Sequence, residues 1–190
     1  MTDIDLGPVS ITIGEITVRL GLGIGITQPG GGGTPTPTPA TWNPADKDAR
    51  ITLSNGNLTV AGDAAGWESV RATRARTTTG YYEKTTTGSV SGIGFANLTA
   101  SVTNYFGSDG NGIMYLPSGD VYAGGAPIAR PAYVFGDLVR ASVNPATGDV
   151  TFSVNGTPSA AINVPGLGAT VYPGVSTIDS ATQSYNFTGW

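Results

Sequence analysis

The sequence predicts an all-β chain: an antiparallel two-sheet sandwich preceded by a short β-hairpin and a Gly/Pro linker. Three observations carry this. Residues 9–26 alternate apolar and polar or glycine positions with a period of two. Residues 29–40 read Pro-Gly-Gly-Gly-Gly-Thr-Pro-Thr-Pro-Thr-Pro-Ala. Residues 41–190 hold short apolar and aromatic runs at roughly ten-residue spacing, punctuated by Asn55-Gly56, Thr147-Gly148 and Asn155-Gly156, with no long helical periodicity.

The first segment, residues 1–28, is expected to be a β anchor. Val9, Ile11 and Ile13 alternate with Ser10 and Thr12, and Gly14-Glu15 supplies a two-residue hairpin turn with glycine first. Ile16, Val18, Leu20, Leu22, Ile24 and Ile26 then form one aliphatic row. The other face carries Thr17 and Arg19 and becomes bare backbone at Gly21, Gly23 and Gly25. A lone hairpin is marginal in water, so the row formed by Ile11, Ile13 and the later aliphatics needs a partner. Copies of itself, another protein or the remainder of the chain would each serve.

The linker at 29–40 has two mechanical parts. The glycines give a hinge. The Thr-Pro repeat favours extended polyproline geometry, because each proline fixes its own φ and restricts the residue before it. Such a hinge and rod would hold a head at 41–190 away from its base; a plain disordered linker is the competing expectation.

Within the head, strands are expected around 51–54, 57–60, 81–87, 90–98, 113–116, 138–143, 150–154 and 171–175. Val70–Thr79 reads as a half-buried Thr/Arg-rich strand with Arg71, Arg74 and Arg76 in solvent, whereas Trp67 and Tyr115 read as core. The many threonines suit exposed strand faces.

Composition narrows the chemistry. The 190 residues include no Cys and no His, with 9 Lys+Arg against 13 Asp+Glu. That excludes disulfides, thiolate nucleophiles, imidazole metal ligands and a Ser-His-Asp triad. A net charge of -4 argues against nucleic-acid binding, which needs a dense basic face. No apolar run reaches the roughly 20 residues of a membrane-spanning helix. The acidic start Met1-Thr2-Asp3-Ile4-Asp5 has no signal-peptide character. No paired carboxylates stand at glycosidase-like spacing, and Glu83 sits alone in its strand. Asp109-Gly110-Asn111-Gly112 offers too few oxygens for calcium and reads as a turn. Neither a catalytic residue, a metal nor a cofactor is expected.

The order of motifs in the head resembles the SPRY family, a lectin-like (concanavalin A-like) β-sandwich. Gly80-Tyr81-Tyr82-Glu83, Ile93-Gly94-Phe95-Ala96 and Tyr105-Phe106-Gly107-Ser108-Asp109 with Ile113-Met114-Tyr115 and Gly119 correspond to its early strands. Tyr133 to Val139, Val150 to Gly156, Val171 to Ser176 and Tyr185-Asn186-Phe187 correspond to its later ones. Arg140 stands where the family has glycine, and Asn144 where aspartate is common. The motif residues mostly build the sandwich, with Phe152, Tyr172 and Phe187 expected on inner faces. The resemblance implies a non-enzymatic module that binds peptides, proteins or glycans through loops at one end.

Two loops fit that role. Residues 101–112 carry Asn104, Tyr105, Asp109 and Asn111, and residues 120–131 carry Tyr122 and Arg130. Tyr, Asn, Ser and Gly are the residues of adaptable recognition loops, and Arg130 is suited to clamp a carboxylate or stack on a ring.

Anchor, spacer and terminal head together suggest a bacteriophage spike or fibre protein at the virion surface. Residues 1–28 would self-associate, as a trimer, and dock to a capsid or tail protein. The head would bind a host-surface glycan or protein. A structural decoration protein without a ligand, or a cellular SPRY adaptor, are the competing expectations.

Overall fold

The computed structural model of the chain describes residues 9–13, 16–20 and 39–190. The chain divides into two units, Met1–Pro37 and Thr38–Trp190. In the first, β1 (Val9–Ile13) pairs antiparallel with β2 (Ile16–Leu20), with Ile13 opposite Ile16 and Val9 opposite Leu20. That register is the one a two-residue connection imposes. The expected turn at Gly14-Glu15, the continuation through Leu22, Ile24 and Ile26, and the linker up to residue 38 lie outside the described residues.

The second unit opens with β3 (Trp42–Lys47), β4 (Thr52–Ser54), β5 (Thr59–Ala61) and β6 (Glu68–Ala72). Then follow β7 (Gly80–Thr85), β8 (Ile93–Ala96), β9 (Gly112–Tyr115), β10 (Asp120–Tyr122) and β11 (Ile128–Ala129). The chain continues with β12 (Leu138–Asn144), β13 (Asp149–Val154), β14 (Thr157–Pro158) and β15 (Ile162–Asn163). A single 3-10 turn at Pro165–Leu167 precedes β16 (Tyr172–Thr177) and β17 (Gln183–Ser184).

The strands form one sheet in the order β11-β10-β9-β8-β16-β6-β3 and a second in the order β14-β13-β12-β7 with β15 also on β13. A small third sheet runs β17-β5-β4. All pairings are antiparallel, and the result is the expected all-β sandwich.

The inner faces follow from period-two alternation. Along β12, Val139, Ala141 and Val143 are buried, and along β13, Val150 and Phe152 are. Phe187 is buried as expected, whereas Tyr172 is only half-buried. Aromatic rings fill the space between the sheets. Tyr82 stacks on Phe187 with centroids 5.5 Å apart, and Trp42 meets Tyr185 and Phe187 edge-on at 5.0 and 4.9 Å. Such pairs add to simple area burial because the ring quadrupoles align.

The Tyr82 hydroxyl joins the sheets. It lies 2.7 Å from the carbonyls of both Gly94 in β8 and Gly174 in β16, and accepts the Gly94 N–H at 2.8 Å. Burial raises its pKa well above the usual tyrosine value, so it remains a donor.

Two expectations are corrected. Residues 70–79 are not one half-buried strand; β6 spans Glu68–Ala72 and is buried throughout. Arg71 is therefore not solvated. Its Nε and Nη2 bind the two Asp46 oxygens at 2.8 and 2.7 Å, and its Nη1 donates to Ala100 O at 2.6 Å. A bidentate pair of this kind is what lets a guanidinium enter a core. Arg76 lies over the Trp190 ring at 5.5 Å rather than in bulk solvent. Strand β3 is not among the strands expected from the sequence, since Pro44, Asp46 and Lys47 obscure its alternation.

Lys84 faces inward from β7. Its amine donates to Ser91 O and lies 5.1 and 5.9 Å from the Tyr133 and Tyr185 ring centroids. Burial lowers its pKa from 10.5 to about 7, against a smaller raising effect of Asp179.

Two outcomes follow from this core. Tyr82→Phe leaves Gly94 and Gly174 groups without their partner and should cost about 1–3 kcal/mol in urea denaturation; an unchanged midpoint would contradict the cross-sheet role. For Lys84, the unfolded chain holds a proton up to about pH 10.5, whereas the folded protein releases it near 7. Stability should therefore be lowest at and below pH 7 and rise as pH climbs through that interval. Lys84→Met should flatten this dependence and raise Tm at pH 7 by roughly 5 °C, as read by calorimetry across pH.

Candidate recognition surface

The loop after β8 is fixed from below by hydroxyls. Ser69 and Ser176, both buried, lie 2.7 Å apart. Ser69 Oγ reaches Asn104 O at 2.6 Å, and Ser176 Oγ accepts the Phe106 N–H at 2.9 Å. Phe106 is buried against Gly174, where any side chain would strike its ring. Tyr105, between these two anchored residues, remains half-exposed.

A glycine crossing brings the second loop to the first. The Gly124 N–H donates to Gly107 O at 2.6 Å, and a Cβ on Gly107 would collide with the Tyr122 carbonyl. Gly107 also has φ +97°, a conformation glycine tolerates at little cost. The crossing sets Tyr105 and Tyr122 in edge contact, with centroids 5.2 Å apart.

Trp67 completes the row. Its ring meets Tyr105 at 5.5 Å, and the residue is half-buried rather than core, which corrects the sequence-based expectation. Tyr115 is buried as expected. The segment before Trp67 is held by charge. Arg50 makes a two-pronged contact with Asp48 at 3.0 Å per bond and donates to Trp67 O at 3.0 Å. The Arg50 hydrogen bond holds the Asp48 carboxyl below its usual range. Glu68, fully buried, accepts the Asp63 N–H at 2.9 Å, and burial raises its pKa. Trp67 had one sequence signal: it follows the turn-rich Asp63-Ala-Ala-Gly and not an alternating run.

The other expected site residues divide. Asn104 Oδ1 accepts the Tyr105 N–H at 2.8 Å, and Asp109 Oδ1 accepts the Asn111 N–H at 2.9 Å, so both side-chain oxygens shape the loop. Asn111 Oδ1 faces Asn97 Nδ2 at 3.4 Å. Asn104 and Asp109 stay exposed. Arg130 is not beside them in the β10–β11 pairing. Its N–H donates to Gly119 O at the opposite end from Tyr122, and its guanidinium reaches Ala129 O and Ala160 O at 2.9 and 3.4 Å. The expected cluster of six is therefore a tyrosine-centred loop surface plus a separate arginine.

Glu83 is not alone. Arg140 Nε and Nη2 both bind its Oε2, at 3.1 and 3.0 Å, and the Arg140 guanidinium lies 4.1 Å from the Tyr81 ring centroid. Among the described residues, no group of three Asp or Glu is placed to hold a metal ion.

Comparison with solved structures agrees with this architecture. The SPRY domain of human HERC1 matches with a TM-score of 0.64 at 16% identity, covering 77% of this chain and 98% of that one. The TRIM65 PSpry domain matches with a TM-score of 0.66 at 14% identity, covering 78% of this chain and 89% of that one. A human SPRY domain matches with a TM-score of 0.58 at 14% identity, covering 74% and 97%. No protein-family model matches the sequence, and no curated protein matches it. At these identities the likeness is one of fold, and the second unit of this chain has the β-sandwich fold of SPRY domains.

Proposed function

We propose that this chain is a non-enzymatic recognition protein of a virion surface, of the bacteriophage spike or fibre type. Its N-terminal β segment would self-associate as a trimer and dock to a capsid or tail protein. Its SPRY-like head would bind a host-surface glycan or protein. Several heads on one base would gain avidity from weak single contacts.

The observation that carries the recognition role is the contiguous row Trp67, Tyr105 and Tyr122, three half-exposed aromatic side chains from separate segments. Rigid rings with polar tips give large contact area at low entropic cost. Buried serines and a glycine crossing hold them, so the surface is preorganised and little binding energy is spent on ordering it. The SPRY-like fold favours the same role, as does the pairing of Glu83 with Arg140, which leaves no free strand carboxylate there for acid-base work. The β1–β2 pairing supports an N-terminal β segment, and the Gly/Pro composition of 29–40 supports a spacer.

The test is binding of the labelled full chain to host cells. Changing Trp67, Tyr105 and Tyr122 together to alanine should reduce adsorption at least tenfold, about 1.4 kcal/mol, with the fold retained by circular dichroism. Adsorption at the level of the unaltered chain would overturn the assignment of this surface.

A further inference from the structure

The outer face of the second sheet holds a hollow that the loop surface does not include. Its residues are placed by strand register. Tyr81, Ser142 and Thr151 lie opposite one another across β7, β12 and β13, and Glu83, Arg140 and Ser153 form the next row, with Pro158 of β14 beyond Ser153. Leu138 follows on β12 two residues before Arg140 and is exposed. Because Ser142, Thr151 and Ser153 are short, the larger Arg140, Leu138 and Pro158 stand around a hollow of about 270 Å³.

Serine and threonine on exposed strands are common. The hydroxyls of Ser142, Thr151 and Ser153 make no hydrogen bond to any described residue. Arg140 directs Nε and Nη2 to one oxygen of Glu83, and its Nη1 has no described partner. Three hydroxyls and a guanidinium N–H thus converge on one concavity with their capacity unspent.

We propose that this hollow is a binding site for a neutral saccharide unit. Its size is near the lower end of small-ligand sites, which suits a single sugar ring. The three hydroxyls both donate and accept, matching the alternating hydroxyls of a sugar. Leu138 and Pro158 supply apolar flanks for its C–H face. The Arg140–Glu83 pair neutralises itself, so no net charge selects an anion.

The sheet edges favour a sugar over a peptide strand. At one edge Pro158 lacks an N–H for ladder pairing. At the other, β7 is already engaged: Glu83 exchanges both backbone bonds with Asn186, and the Gln183 side chain donates to Thr85 O and accepts from Thr87 N. Strand addition is closed on both sides, and the face remains.

This site is independent of the Trp67–Tyr105–Tyr122 surface, and the experiment separates them. The 15N-labelled full chain is titrated with the methyl glycosides of glucose, galactose, mannose, N-acetylglucosamine and rhamnose, each to about 100 mM, a range that detects millimolar Kd. At least one should shift the amides of Ser142, Thr151 and Ser153. The double variant Thr151→Val, Ser153→Ala should weaken that binding at least tenfold with other amides unmoved, and Trp67→Ala should leave it intact. If no glycoside moves these amides, if the shifts map to another surface, or if they persist undiminished in the double variant, the proposal is wrong.

Discussion

The single phenol of Tyr82 sets the geometry on which the rest of the head depends. It lies in β7 of one sheet and engages backbone groups of β8 and β16 in the other. Both glycines are close-packed on other groups. Gly94 lies tight against the Ile113 carbonyl, and Gly174 lies under the Phe106 ring. Phe106 is next to Tyr105, so one chain of contacts runs from the cross-sheet bond to the loop that carries Tyr105. The motif glycines of the sequence are therefore close-packing positions: Gly94 admits the neighbouring Ile113 carbonyl and Gly174 admits the Phe106 ring.

Charge is handled in the same economical way. The sequence has only 9 Lys+Arg, and several of those in the second unit are buried or held in ion pairs. Arg71 pairs with Asp46, Arg50 with Asp48 and Arg140 with Glu83, while Lys84 is buried under Tyr133 and Tyr185.

The sequence conveyed fold well and sites unevenly. Period-two alternation located β12 and β13, and Gly80-Tyr81-Tyr82-Glu83 and Ile93-Gly94-Phe95-Ala96 marked strands that do form. Tyr105 and Tyr122 are brought together, the first from a loop and the second from the end of β10. What was illegible depends on distant partners. Arg71 looks solvent-facing until Asp46, 25 residues away, is placed against it. Trp67 looks like core until its strand is seen to begin one residue later, at Glu68. Arg130 shares a loop with Tyr122 but is carried to the other end of a short ribbon by its pairing with Gly119. The hollow at Ser142, Thr151 and Ser153 appears only once two strands are in register.

The central claim is that the Tyr82 bridge is part of the cooperative core and not a local contact. Native-state hydrogen exchange at the Gly94 amide tests it most directly, since that N–H donates to the Tyr82 oxygen. The account predicts that Gly94 exchanges only through global unfolding, with an opening free energy equal to that from urea denaturation. Exchange through a local opening, with a free energy well below the global value and insensitive to denaturant, would contradict it.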